Sequence, residues 1–142
     1  MNTLRALGNS DHASRITHHI LVTGGAGFIG SYLVERLLGE GKSVVVVDDL
    51  STGNRENLRA LEKHPRLRVI EAKISTCAEL PELVAQAESI FHLAAAVGVD
   101  LVVKSPIHVL ETNLHETEVL LETAAPQRVP LLVASTSEVY GK

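Results

Sequence analysis

His19-Ile20-Leu21-Val22-Thr23-Gly24-Gly25-Ala26-Gly27-Phe28-Ile29-Gly30 is the stretch that decides the fold. A short apolar run with β-branched residues reads as a buried strand, and a glycine cluster then breaks it. A helix pattern follows at once, with Phe28, Ile29, Leu33, Leu37 and Leu38 at helical spacing. Strand, glycine turn and helix in that order aim backbone N–H groups at one point, where a phosphate can sit. Gly24 allows the tight turn, Gly27 the close approach of a pyrophosphate, and Gly30 the packing of helix on strand. The spacing is G-x-x-G-x-x-G, and a structural tight turn is the plainer alternative to a dinucleotide site. The strand before and the helix after supply the context that the binding motif requires.

Downstream, Gly39 and Gly41 stop the first helix, and Ser43-Val44-Val45-Val46-Val47-Asp48 follows. Four valines without alternation suit a strand covered on both faces. Asp48 ends that strand about 20 residues past the glycine turn, where a carboxylate can hold an adenosine ribose. The alternative is a merely solvated acid. Turn-rich Asp49-Leu50-Ser51-Thr52-Gly53-Asn54 leads to a helix-like piece at 55–63 that stops before Pro65. Strand patterns at 67–72, 89–94 and 129–134 alternate with helix patterns at 78–87 and 107–125. In the last of these, Leu110, Leu114, Thr117, Leu121 and Ala124 recur at helical spacing, as on a helix lying against a sheet. Small residues at Ala94-Ala95-Ala96 either leave room for a ligand or permit close helix packing. Strands alternating with helices predict an α/β fold, a doubly wound parallel sheet of the Rossmann type with strand order 3-2-1-4-5.

Composition narrows the function classes. At 142 residues, with 45% apolar residues, the chain suits one domain with a real core. A net charge of −4 offers no basic footprint for nucleic acid, and 3% aromatic residues offer no stacking platform. The lone cysteine, Cys77, excludes an internal disulfide and a cysteine zinc cluster. His18 and His19 adjoin on a strand and point to opposite faces, so no metal site is expected there. No apolar run approaches the ~20 residues that span a bilayer. No membrane association is expected, and the cytoplasm is the expected location. Residues 1–17 lack periodicity and are expected to be a flexible extension ahead of the domain at 18–142.

Taken together, these runs resemble the extended short-chain dehydrogenases/reductases that modify nucleotide sugars: UDP-glucose 4-epimerases, dTDP-glucose 4,6-dehydratases and UDP-glucuronate decarboxylases. The resemblance runs from about Ile20 to Gly141. Thr23 to Gly30 is similar to the family's pyrophosphate loop, carrying Gly24, Gly27, Phe28, Ile29 and Gly30. Asp48 to Asn54 is similar to its adenosine-ribose loop, which implies contacts from Asp48, Asp49, Thr52, Gly53 and Asn54 and favours NAD over NADP. His92-Leu93-Ala94-Ala95 matches the run beside the cofactor, and Thr112-Asn113 with Thr117 resembles its N-x-x-G-T helix. Those matches imply cofactor contacts at Leu93, Ala94, Ala95 and Thr112. Ser135-Thr136-Ser137-Glu138-Val139-Tyr140-Gly141 implies a cofactor contact at Ser135, a bond from Thr136 to the sugar's 4-hydroxyl, and Glu138 near the sugar. The activity implied is transient oxidation of a nucleotide-sugar substrate at C4, with a lysine-assisted tyrosine as base.

That base pair is normally Tyr-x-x-x-Lys, and the 142 residues contain no such run. Tyr140-Gly141-Lys142 has the wrong spacing, because i and i+2 do not share a helix face. The resemblance therefore implies an N-terminal, NAD-binding portion without the substrate domain, not catalytic by itself; a non-catalytic dinucleotide-binding or regulatory module is the alternative. Two departures bear on the site. Lys73 stands where the family has an Asp against the adenine, leaving Ile74 to cover the ring. Glu116 stands where N-x-x-G-T has its glycine. The sheet edge left open after the fifth strand makes a homo-oligomer an expectation too.

Overall fold

The computed structural model describes residues 18–96 and 103–135. Residues 1–17, Thr136, Glu138 and the Tyr140-Gly141-Lys142 run lie outside them. Five strands form one parallel sheet: β1 (His19–Thr23), β2 (Val44–Asp48), β3 (Leu67–Glu71), β4 (Ala87–His92) and β5 (Leu131–Val133). Their order is β3-β2-β1-β4-β5, as the alternating pattern predicts. Between them run α1 (Phe28–Gly39), α2 (Leu80–Ala85) and α3 (Pro106–Ala124), with short 3₁₀ segments at Arg55–Leu61, Ile74–Thr76 and Ala125–Gln127.

The valine run explains the layering. Successive strand side chains point to opposite faces, so an unbroken apolar run needs cover on both. Ile20, Val22, Val44 and Val46 pack with Val34, Leu37 and Leu38 of α1 and with Leu58. Leu21, Val45, Val47 and Ile90 pack on the other face with Leu80, Leu83 and Val84 of α2 and Leu120 and Ala124 of α3. Every residue of β1 and β2 is buried. At roughly 1.5–3 kcal/mol per buried aliphatic side chain, these two strands anchor the domain. The flanking strands β3 and β5 are only partly covered.

Several local expectations shift. The segment expected as a helix at 55–63 is a 3₁₀ coil at Arg55–Leu61, and Leu58 is its one buried residue. β4 starts two residues earlier than the pattern suggested and stops at His92, while β5 is confined to Leu131–Val133. The larger correction concerns α3. Leu110, Leu114 and Leu121 face outward at 60%, 63% and 44% exposure. The buried side holds Val109, Leu120 and Ala124, with Thr112, Asn113, Glu116 and Thr117 half-buried between them. The inner face is polar in its middle because it borders a cleft there, whereas the apolar stripe marks the outside.

Away from that cleft, at the N-terminal ends of the strands, Lys42 Nζ pairs with Glu88 at 3.1 Å across the surface. Among the described residues no helix is long and apolar enough to cross a membrane.

Candidate functional site

The glycine turn is built by three different demands. Gly24 has φ +74°, and a Cβ there would lie 2.6 Å from the Ala94 nitrogen, so only glycine fits. A Cβ on Gly30 would lie 2.1 Å from the Gly24 carbonyl oxygen, which seats α1 directly on the turn. Gly27 differs from both. It is the N-cap of α1 with φ −73° and ψ 173°, extended backbone that any residue adopts. Its φ and ψ do not demand glycine, although a Cβ there would lie 3.2 Å from the Gly24 carbonyl oxygen, and its missing side chain leaves the helix start open for a close approach. No side chain caps α1, and no acid occupies its first turn. The first N–H groups of a helix lack intrahelical partners and carry partial positive charge, which suits an anion.

Asp48 ties this turn to the next loop. Its Oδ2 accepts the Ala26 N–H at 2.8 Å, and its Oδ1 accepts the Leu50 N–H at 2.9 Å. The second bond holds Leu50 in a left-handed conformation, φ 57°. The Ala26 carbonyl in turn accepts from the Asn54 N–H at 3.0 Å and from Asn57 Nδ2 at 2.8 Å. Glycine turn and acidic loop are therefore one knot. Each carboxylate oxygen keeps a second lone pair for a ligand hydroxyl. This clamping role was not foreseen from sequence, since it joins residues 22 positions apart.

These loops open onto a cleft of about 640 Å³ at the C-terminal ends of the strands, within the size range of cofactor sites. Gly24, Gly27, Phe28, Ile29 and Gly30 line it on one side, and Asp48, Asp49, Thr52 and Gly53 on another. Ile74, Leu93, Ala94, Ala95, Thr112 and Ser135 complete the set expected from sequence. Asn54 is the exception. Its Oδ1 accepts the Glu56 N–H at 2.9 Å, so it caps the 3₁₀ segment instead of facing the cleft. Ile74 is 4% exposed, offering little more than an edge to the cleft while it packs in the core. Thr136 and Glu138 lie outside the described residues.

Three further residues shape the floor and wall. His92, buried at the end of β4, bonds Thr23 Oγ1 through Nδ1 at 2.7 Å and Thr117 Oγ1 through Nε2 at 2.8 Å. It bridges the central strand to α3, and burial lowers its pKa, opposed by the Glu116 carboxylate. Asn113 closes a two-way bond with the Ala96 backbone, at 2.6 Å and 3.2 Å. Glu116 accepts from the Ser75 N–H at 2.9 Å and from Ser75 Oγ–H at 2.6 Å. All three stood inside motifs read from sequence, Glu116 as a departure from one, but their partners were not legible there. Cys77 is buried away from this chemistry, and desolvation raises its thiol pKa.

An open, all-parallel sheet whose first strand turns through glycines into α1, with its cleft at the strand ends, makes this a Rossmann-fold protein. A family model described as GDP-mannose 4,6 dehydratase matches residues 21–142, and the chain belongs to that family, among the nucleotide-sugar epimerases and dehydratases of the short-chain dehydrogenase/reductase type. It is 39% identical over 122 residues to UDP-N-acetyl-α-D-glucosaminuronate decarboxylase of Bacillus cytotoxicus, which covers 86% of this chain and 37% of that protein. It is 37% identical over 122 residues to UDP-glucuronic acid decarboxylase 1 of Arabidopsis thaliana, covering 86% and 27%. Among solved structures, dTDP-glucose 4,6-dehydratase of Streptomyces venezuelae, with NAD and TYD bound, superposes with a TM-score of 0.79 at 37% identity, covering 87% of this chain and 41% of that one. UDP-glucose 4-epimerase of Thermotoga maritima gives 0.72 at 37% identity, covering 83% and 38%. The chain thus spans about a third of the length of the curated relatives it matches, between 27% and 37% for these two.

Proposed function

We propose that this chain is the NAD-binding portion of a nucleotide-sugar epimerase, dehydratase or decarboxylase. The observation that carries it is the start of α1: a helix N-terminus with no side-chain cap, where Gly27 leaves the first N–H groups uncovered. The N–H groups of that first turn hold the pyrophosphate. Asp48, already oriented by Ala26 and Leu50, accepts from a ribose hydroxyl with its remaining lone pairs. Asp48 and Asp49 also repel a 2′-phosphate, which favours NAD over NADP. NAD bound in this way supplies a hydride acceptor for transient oxidation of the sugar at C4. Thr136 and Glu138 are the residues of this chain assigned to the sugar, by resemblance to the family. The soluble partners of the site are the dinucleotide and the sugar nucleotide.

Turnover needs a Tyr-x-x-x-Lys base, and the 142 residues contain none. The chain by itself is therefore expected to bind NAD without converting any UDP- or dTDP-sugar. Calorimetric titration with NAD checks the first half, comparing the unaltered chain with Gly27→Val. The valine is expected to abolish binding; unchanged binding would show that the assigned turn does not hold the pyrophosphate. NAD-dependent conversion of a sugar nucleotide by the chain would overturn the second half.

A further inference from the structure

Glu116 joins the inner face of α3 to the residues that follow β3, and the function proposed above gives it no part. Its two oxygens accept from one residue, Ser75, through the backbone N–H and the hydroxyl. A carboxylate offers about four acceptor positions, so about two remain. The side chain is half-buried and lines the cleft together with Lys73 and Ile74. Two polar neighbours on α3 have partners of their own. Asn113 is engaged with Ala96, and Thr117 with His92. An ammonium such as that of Lys73 can only donate.

The inference rests on the cofactor assignment made above. With the pyrophosphate at the start of α1 and a ribose at Asp48, the base carried by that ribose enters the part of the cleft bounded by Lys73, Ile74 and α3. The geometry points to Glu116 as the residue that reads the base, accepting a hydrogen bond from the exocyclic amino group of adenine. Lys73, two residues before Ser75 and lining the same cleft, offers a donor for a ring nitrogen. An acceptor and a donor lying side by side match adenine, whose amino group and neighbouring ring nitrogen share one edge. They mismatch hypoxanthine, whose carbonyl oxygen would face the carboxylate. Ser75 fixes the carboxylate in place before the ligand arrives, so little side-chain freedom is lost on binding.

The test compares NAD with its hypoxanthine analogue by calorimetric titration of the chain. A bond to a charged acceptor corresponds to a preference of at least about tenfold for NAD. Glu116→Ala is expected to bring that preference close to one, mostly by weakening NAD. If Glu116 serves only to hold Ser75, the substitution weakens both dinucleotides by the same factor and the preference survives, which overturns the inference. The unaltered chain decides the matter even should the variant fail to fold: equal affinity for the two dinucleotides overturns it. Binding of neither dinucleotide to the unaltered chain removes the cofactor assignment, and this inference with it.

Discussion

Two glycines on α1 answer opposite demands. At Gly30 an added Cβ would meet Gly24 oxygen at 2.1 Å and Gly25 Cα at 2.8 Å, backbone atoms that cannot swing aside. At Gly39 an added Cβ meets nothing within 4 Å. Gly30→Ala is expected to destabilise the chain by about 3 kcal/mol through overpacking, whereas Gly39→Ala stabilises it by about 0.5 kcal/mol through chain entropy and helix propensity. Urea unfolding midpoints moving in opposite directions are the readout, and coincident midpoints would contradict the seating of α1 on the turn. His92 gives a second prediction at this scale. Burial holds its folded pKa below the ordinary 6.5, so the unfolded chain takes up the proton more readily. Its contribution to stability is whole above about pH 6.5 and is lost as pH falls from there toward the folded value. The decline in unfolding free energy between about pH 7.5 and about pH 5.5 is expected to be shallower in His92→Gln, which has no proton to gain. An identical decline would place the acid sensitivity elsewhere.

At the level of elements, α3 shows why periodicity alone misleads. Its span was legible, with Pro126 and Pro130 marking its end, but its orientation was not. An apolar stripe is normally taken to face inward, yet here the inner face borders a cleft and carries Thr112, Asn113, Glu116 and Thr117. The contacts that orient the helix run from Glu116 to Ser75, 41 residues away, and from Thr117 to His92, 25 residues away. No local pattern encodes either. The outward Ile107, Leu110, Leu114 and Leu121 follow one another by three, four and seven residues along one face, and such an exposed apolar stripe favours association in water. Leu110→Glu combined with Leu114→Glu is expected to lower self-association in sedimentation runs and to leave the unfolding midpoint within about 0.5 kcal/mol of its original value. Unchanged sedimentation would show that this face takes no part.

For the whole molecule, strand order and parallel pairing followed from the alternation of elements and from the doubly covered valines of β2. The cleft followed as well, because parallel strands bring all their C-terminal ends to one rim. What stayed hidden is how the rim is held together. Asp48 was legible as an acid at a strand's end, not as the clamp between Ala26 and Leu50. Asn54 read as a ligand contact because the run from Asp48 to Asn54 resembles an adenosine-ribose loop, yet its side chain oxygen is used locally as a cap.

The Lys42–Glu88 pair has a practical side. It lies at the opposite rim from the cleft, and an exposed pair of this kind adds at most about 1 kcal/mol, so replacing it disturbs little. The chain's single cysteine, Cys77, is buried with its thiol pKa raised, leaving it a poor nucleophile. A cysteine introduced at position 42 would thus take a fluorophore selectively, labelling the chain at the rim opposite the cleft and leaving the cleft itself untouched.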